Sequence, residues 1–515
     1  MQDFSLALLL PQILLLVFAA LALAVGLWSG ADGWLAYRPD RLGRPLAALL
    51  HGLNPGLLGA CGLLLALVAQ GQILFGILPQ FGPLPVTQLS DALTVDPAGI
   101  VFGMVACLAT LGVIPMAADH FADDRKNSGE LHFLLLCACA AVTMAALAAD
   151  LLSVYLSLEF LSVTSYVLAG FRRSDARSVE AAIKYFLFGA ACSAATLYGM
   201  SVLFGMTGTL SLRGIGESLM LGQFTSPALW VATLLTLTAV AFKVAAVPFH
   251  LWALDVYQGA PTPVTAFLSV ASKAAGLAVL LRLLWTCFAA ALDWVPLVGI
   301  LSAASMTLGN LAAIPQKNVK RMLAYSSISH AGYLLIGFAA LGVTLRDPRL
   351  FALQGVLVYL AGYLLANIGT FAAVNAVERL TGSAEIPAYR GLMQRSPGLA
   401  IALVVFFLSL AGLPPTLGFA GKFWVFAAAI KTNIQLLWWL AAIGVANSVV
   451  SVYYYFNVAR AMFFEEPRDP APLPAPVASA SVVWACALAS VALLVALQPL
   501  ARAAASGAWM SFVPR

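Results

Sequence analysis

The stretch Ala239–Pro261, AVAFKVAAVPFHLWALDVYQGAP, is apolar enough to lie in lipid, yet Lys243 stands near its centre and Pro248 follows shortly after. A charge and a helix breaker are two costs that a plain membrane anchor avoids. Proline in a helix frees a backbone carbonyl, and irregular backbone inside a bilayer is tolerated only where it is buried in protein or lines a hydrated cavity. The stretch therefore reads as a broken membrane helix facing the interior of a larger bundle.

The rest of the chain agrees. Of its 515 residues 62% are hydrophobic and only 10% charged, with a mean hydropathy of +0.94, a balance foreign to a water-soluble domain of this size. Runs of about 20 apolar residues are long enough to cross roughly 30 Å of hydrocarbon as helices. Fourteen are predicted, at 4–28, 46–70, 98–117, 131–149, 151–171, 180–205, 227–249, 262–285, 295–314, 322–342, 352–376, 398–428, 434–461 and 478–499. The first is too long for the apolar core of a signal peptide and lacks a basic stretch before it, so it reads as a retained helix.

With the N-terminus outside, sixteen Lys and Arg fall on the cytoplasmic side and six on the other. The first group includes Arg38, Arg41, Arg44, Arg125, Lys126, Lys317, Lys320, Arg321 and Arg468, and the second is Arg213, Arg346, Arg349, Lys431, Arg502 and Arg515. This positive-inside bias places both termini on the non-cytoplasmic side of the membrane. The net charge of +5 is scattered through short loops, with no basic tract for nucleic acid. Seven cysteines lie in apolar segments without CxxC or Cys/His spacing, which argues for no disulfide framework, structural zinc or iron–sulfur site. The Pro-rich segment Glu465–Pro476 is expected to lead to a loosely attached last helix.

Five ionisable residues remain well inside predicted helices: Glu159, Lys184, Lys243, Lys273 and Lys422. Each such charge costs about 2.5 to 3.5 kcal/mol at a helix centre. Lys184 lies only a turn into its helix, where a side chain can snorkel to the headgroups. Glu159 shares a stripe with Tyr155, Ser162 and Tyr166 in helix 5. In helix 7, Thr236, Lys243 and His250 are spaced by seven and are expected near one face. Ser269, Lys273 and Gly276 form a stripe in helix 8, and Lys422 follows Gly418 and Gly421 in helix 12. Packing through small residues accounts for the glycines but not for the charges.

Pro248 stands beside Lys243 and His250, and Pro414 and Pro415 stand shortly before Lys422. If helices 4–8 and 9–13 are two five-helix repeats, helices 7 and 12 are the fourth member of each, and the two lysines are expected at matching places. An odd number of helices per repeat inverts the second copy, and inverted repeats with broken helices and midplane charges mark ion-coupled transport. The chain then divides into 1–130 (helices 1–3), 131–290 (first repeat), 291–465 (second repeat) and 466–515 (linker and helix 14). A buried ammonium is disfavoured by desolvation and favoured by a nearby carboxylate, so moving or hydrating Glu159 changes whether Lys243 keeps its proton. This suggests a proton relay with Lys184, Lys273, His330 and Lys422 as further stations and His250 within reach of Lys243. His330 alone also suits hydrogen-bonded scaffolding.

The segments FKVAAVPFHLWALDVYQGAPTPVTAFLSVASKAAG, NVKRMLAYSSISHAGYLLIG, LSLEFLSVTSYVLAGF, VEAAIKYFLFGAACSAATLYG and LSLAGLPPTLGFAGKFWV together resemble the subunit N family of bacterial NADH:quinone oxidoreductase, respiratory complex I. The resemblance covers about residues 90 to 465. It implies an all-α polytopic membrane protein of about 14 helices with two inverted five-helix repeats and broken helices 7 and 12. It also implies that Glu159, Lys243, Lys273 and Lys422 form the family's proton pathway, with Lys184 matching a further family lysine. No redox cofactor is expected on this chain. NADH, flavin, iron–sulfur clusters and quinone would belong to partner subunits, and neighbouring antiporter-like and small helical subunits would flank it in a bacterial inner membrane. One departure is HLWALDVYQG, where the family usually has Thr-Pro after the tryptophan; Ala253 and Leu254 are expected to make a less rigid turn there.

Three other readings compete. Antiporter-like subunits of cation/proton antiporters, or of ferredoxin- or hydrogenase-linked complexes, share the implied fold. A stand-alone solute carrier would need a substrate cavity, and a structural anchor would leave the buried charges without a task.

Overall fold

A computed structural model describes residues 6–29, 54–76, 84–89, 91–122, 127–222, 226–288, 292–343, 346–467, 469 and 471–497. Arg38, Arg41, Arg44, Arg125, Lys126, Arg468, Arg502 and Arg515 lie outside the described residues, as do parts of the predicted spans 4–28, 46–70 and 478–499.

The chain is a multi-pass bundle whose helices follow the predicted spans in order: α1 (Leu10–Ser29), α2 (Pro55–Leu74), α3 (Pro97–His120), α4 (Ser128–Leu147), α5 (Leu151–Ala169), α6 (Ala176–Thr207), α7 (Pro227–Val244), α8 (Thr262–Cys287), α9 (Val295–Ala313), α10 (Val319–Leu341), α11 (Arg346–Thr381), α12 (Pro397–Ala411 and Leu417–Lys431), α13 (Gln435–Phe464) and α14 (Val477–Val495). Twelve are long and apolar enough to cross a membrane unaided. The other two are α10, whose first turns carry Lys320 and Arg321, and α12, which is split into two shorter pieces. Local chemistry sets the starts. Asn54 and Asp96 each precede a proline and cap their helices by accepting from Gly56 N–H (2.8 Å) and Gly99 N–H (2.7 Å), while Asp150 and Ser153 form a reciprocal capping box on α5.

Helix α8 is the axis of the bundle, with 94% of its apolar window buried, and α11 and α4 follow at 83% and 78%. Two π-type turns interrupt α8, at Leu268–Ser272 immediately before Lys273 and at Leu283–Cys287. Such turns rotate the side chains that follow them relative to a regular helix. A short antiparallel hairpin, Val86–Gln88 with Leu93–Val95, precedes α3.

Helix α7 is interrupted at two places. Thr196 of α6 inserts its hydroxyl into the ladder, donating to Leu235 C=O (3.2 Å) and accepting from Ala239 N–H (2.8 Å), a local cause of a kink. The helix then ends at Ala245 in the left-handed region (φ 60°), with Ala246 N–H bonded back to Ala241 C=O at 2.9 Å. Thr236, Lys243 and His250 therefore do not share one continuous helical face, contrary to the sequence expectation. The first half of α12 ends in the same way, at Gly412 (φ 81°) with Leu413 N–H on Leu408 C=O at 3.0 Å. In that shared register Lys243 corresponds to Leu410 and Lys422 to Asp255, so the two lysines lie on opposite sides of equivalent breaks rather than at matching places. Beyond the first break, residues Leu251–Gly259 form a helix, and Ala253 and Leu254 lie inside it, not in a turn.

Groups freed by the breaks find partners. Trp252 Nε1–H donates to Phe242 C=O at 2.9 Å, Val247 N–H to Ser305 Oγ at 3.0 Å, and Gly418 N–H to Ser409 Oγ at 3.2 Å. Helix α14 is anchored rather than loose. Ser479 is fully buried, gives its N–H to Asp119 Oδ2 (2.5 Å) and accepts from Asn375 Nδ2 (3.0 Å). The linker before it is held by Arg395, whose Nε–H donates to Ala471 C=O and whose C=O accepts from Leu473 N–H, each at 3.0 Å.

Two ion-pair clusters differ in burial. Arg282 of α8 reaches Asp96 at 2.6 Å with side-chain exposures of 6% and 0%, and its Nε–H also donates to Ala146 C=O. Asp255 pairs with Lys184 (2.8 Å) and Arg321 (2.9 Å), all about one-third exposed. A half-exposed pair contributes about 0 to 1 kcal/mol, whereas removing one partner of a buried pair costs about 3 to 5 kcal/mol. Arg282→Met is therefore expected to lower the thermal stability of the detergent-purified protein far more than Asp255→Asn. Melting curves of the two variants against wild type check that order.

Candidate functional site

Buried charges gather along the middle of the bundle. Glu159 of α5 is half-buried and accepts a short hydrogen bond (2.5 Å) from Ser193 Oγ of α6, whose oxygen is 3.2 Å from Tyr155 OH. Three residues of the predicted stripe thus divide their work: Tyr155 and Glu159 meet Ser193, and Tyr166 turns its ring edge to Tyr185 at 4.8 Å. Gly189 makes room for this, because a Cβ there would stand 1.8 Å from Tyr166 OH.

Lys243, in the last turn of α7, is 1% exposed, and its Nζ has no hydrogen-bond partner among the described residues. It lies over the rings of Tyr185 (5.5 Å), Phe242 (5.8 Å) and Tyr166 (5.9 Å), within electrostatic reach of Glu159. Ring faces offer a cation partial compensation only. Gly276 lets α8 approach at this level, since a Cβ there would come within 3.2 Å of Lys243 Cβ.

Lys273, one turn before Gly276, is 1% exposed and donates from Nζ to Ser327 C=O of α10. The Ser327 hydroxyl is 3.1 Å from Tyr257 OH and 2.9 Å from Tyr363 OH, and Tyr363 donates in turn to Ser269 C=O at 3.1 Å. One turn further along α10, His330 is buried with Nδ1 2.6 Å from Tyr359 OH and Nε2 3.5 Å from Tyr455 OH. Its ring centroid lies 5.0 Å from that of Tyr363, and it is within electrostatic reach of both Lys273 and Lys422.

Lys422 is 3% exposed and donates to Ala411 C=O at 2.8 Å. That carbonyl belongs to the last residue of the first half of α12, so the break supplies the acceptor, at a helix C-terminus where a cation is favoured. Gly412 leaves the space, because a Cβ there would stand 2.6 Å from Lys422 Cδ. Lys422 Nζ also sits 4.4 Å above the Tyr333 ring, whose hydroxyl accepts from Asn310 Nδ2 at 3.0 Å; Asn310 Oδ1 accepts from Tyr454 OH at 3.1 Å.

Lys243, Lys273, His330 and Lys422 thus form one buried row, with Glu159 near its first member. Two sequence candidates make no hydrogen bond to it among the described residues. Lys184 is 39% exposed and held between Glu180 (2.7 Å) and Asp255 (2.8 Å). His250 is buried just before the Leu251–Gly259 helix, with Nδ1 unpartnered among the described residues. The connecting Ser327, Tyr333, Tyr359, Tyr363, Tyr455 and Asn310 were not singled out from the sequence, because isolated hydroxyls in apolar helices carry no local signature. Among the described residues no three or more His, Cys, Asp or Glu converge as metal ligands.

Comparison with known proteins gives the row its family context. The model of the NADH:quinone oxidoreductase/Mrp antiporter transmembrane family matches residues 148–451, which takes in every residue of the row. The NADH-quinone oxidoreductase subunit N of Trichlorobacter lovleyi is 42% identical over 406 residues, covering 78% of this chain and 81% of that protein. A chain of respiratory complex I from Thermus thermophilus, solved with bound aureothin, is 31% identical and superposes with a TM-score of 0.74 over 96% of this chain and 98% of its own length. A chain of the membrane-bound sulfane sulfur reductase, an archaeal respiratory membrane complex, is 21% identical and shares the fold, with a TM-score of 0.82 over 99% of this chain and 100% of its own. Spans, broken helices and matched sequence agree, and the chain belongs to the NADH:quinone oxidoreductase/Mrp antiporter family of polytopic membrane subunits.

Proposed function

We propose that this chain is subunit N of a bacterial NADH:quinone oxidoreductase and moves protons through the row Glu159, Lys243, Lys273, His330 and Lys422. The observation that carries the reading is the burial of three lysines on three helices, two of them held by backbone carbonyls, with the His330 ring packed against Tyr363, which bonds the Ser327 hydroxyl, and against Tyr333, which lies under Lys422. Electron transfer takes place on partner subunits holding NADH, flavin, iron–sulfur clusters and quinone. Its energy reaches this chain as displacement of charges and helices, which the breaks in α7 and α12 accommodate.

In this reading Glu159 sets the charge of Lys243. When the carboxylate is drawn away or hydrated, the ammonium loses the compensating charge of Glu159 and releases its proton toward Lys273. Lys273 and Lys422 hold a proton against a carbonyl oxygen, and His330, with a tyrosine hydroxyl at each ring nitrogen, passes it between them. The buried groups titrate as a set. Lys184 and His250 serve at the margins, Lys184 by steadying Asp255 and His250 near the α7 break. The division into helices 1–3, two five-helix repeats and a terminal helix follows the two equivalent breaks, with both termini on the non-cytoplasmic side of the inner membrane.

The alternative is an antiporter-like subunit of another complex, since the archaeal sulfane sulfur reductase chain has the same fold. NADH-driven quinone reduction by the purified complex separates the two. Within the preferred reading, Lys422→Ala is expected to slow NADH-driven proton uptake by inside-out membrane vesicles by about a hundredfold or more, the lower range for a lost proton-transfer group, in a complex that still assembles. Tyr333→Phe, which keeps the ring face under Lys422 and removes only a hydroxyl bonded to Asn310, is expected to leave proton uptake close to wild type. Proton uptake and assembly measured for both variants decide it.

A further inference from the structure

A second set of buried charges lies toward one end of the bundle, outside the row. Glu378 of α11 is 3.5 Å from Lys320 Nζ of α10 and accepts a hydrogen bond on its other oxygen from Thr262 Oγ of α8. Lys320 is 4% exposed, whereas the Glu378 side chain is 24% exposed, so the carboxylate is the member that reaches toward solvent. Lys320 also donates to Ala260 C=O at 2.9 Å. Read as a loop cation in the sequence, it is in fact enclosed.

Two polar groups around Glu378 are unsatisfied. His120 of α3 is 7% exposed, binds Asn375 through Nδ1 at 2.9 Å and leaves Nε2 without a partner among the described residues. Tyr389 is fully buried with its hydroxyl likewise unpartnered. Both lie within electrostatic reach of Glu378. Unpaired polar atoms in a polar enclosure are where ordered water is held.

The cluster is in register with the row. Thr262 and Ser269 on α8, Lys320 and Ser327 on α10, and Glu378 and Phe371 on α11 are each seven residues apart. Seven residues are about two helical turns, or roughly 10 Å. Ser327 is the residue whose carbonyl holds Lys273, and Ser269 accepts from Asn367 at 2.5 Å. At the inner level on α11 stands Phe371, fully buried, with its ring 6.2 Å from that of Tyr257. Three helices thus carry an outer layer of Thr262, Lys320 and Glu378 and, two turns further in, an inner layer of Ser269, Ser327 and Phe371, a distance that roughly three waters at hydrogen-bond spacing would bridge.

We propose that Glu378, held by Lys320 and Thr262 and flanked by His120 and Tyr389, is a proton-loading residue that feeds Lys273. This rests on the relay reading above. A carboxylate oxygen takes a proton delivered as hydronium at the half-open end, which neutralises Glu378 and leaves the Lys320 ammonium without its counter-charge. Once Lys273 has passed its own proton along the row, the Glu378 proton leaves along water past Phe371 to the neutral Lys273 amine beside Ser327, and the Glu378 carboxylate pairs again with Lys320.

The test compares Glu378→Gln, Glu378→Asp, Glu378→Gln/Lys320→Met and Lys273→Ala in the whole complex, following NADH-driven proton uptake by membrane vesicles together with assembly. Glu378→Gln is expected to lower uptake by about a hundredfold or more, with Glu378→Asp recovering most of it. Should Glu378→Gln fail to assemble because Lys320 is left unpaired, the double variant removes that charge; it is expected to assemble and still take up protons slowly. A double variant that pumps like wild type would show the pair to be structural and overturn the proposal. Wild-type uptake in Glu378→Gln beside lost uptake in Lys273→Ala would reject the loading role alone, while wild-type uptake in Lys273→Ala would reject the relay on which it rests.

Discussion

Everything in this bundle follows from keeping three ammonium groups away from water. On the mild insertion scale each costs about 2.5 to 3.5 kcal/mol at mid-membrane, and the fold lowers that cost differently for each. Lys273 finds the Ser327 carbonyl. Lys422 finds the Ala411 carbonyl that the break in α12 leaves open, in space that only a glycine at 412 provides. Lys243 has ring faces and the distant charge of Glu159 but no hydrogen-bond acceptor among the described residues. Among the three it is the one whose Nζ has no hydrogen-bond partner in the described residues.

The broken helices are therefore part of the electrostatics as well as of the shape. A regular helix consumes its carbonyls internally, whereas ends inside the bundle offer them to side chains. The breaks in α7 and α12 have the same hydrogen-bond closure, yet their charges sit on opposite sides: lysine before the break in α7, lysine after it in α12. Asp255 occupies the position in the first repeat that Lys422 occupies in the second, and it holds Lys184 and Arg321. The repeats thus share a backbone device and use it for different charges.

Much of this was legible in the sequence. Fourteen apolar runs at about the right places, three buried lysines and two proline-marked breaks are local features, and local features survive in a one-dimensional reading. Partnerships made across long separations were not. Nothing in the sequence around Arg282 points to Asp96, 186 positions away, which lies beside it. Lys320 reads as a topology determinant until Glu378 closes over it. Thr196 gives no hint that it kinks a neighbouring helix, and equal spacing of Thr236, Lys243 and His250 misled because the helix assumed between them is interrupted. The linker before α14 looked loose because its proline content is visible, while the bonds to Arg395 and Ser479 that fasten it are not.

The central claim is that Lys243 carries protons in step with electron transfer elsewhere in the complex. The most direct test is Lys243→Ala in membrane vesicles, with NADH-driven quinone reduction and the proton gradient followed together and assembly of the complex verified. Loss of both activities in an intact complex is the expected result. If both persist at wild-type rates, Lys243 is not an obligatory station, and the buried row would be a structural feature of a membrane anchor.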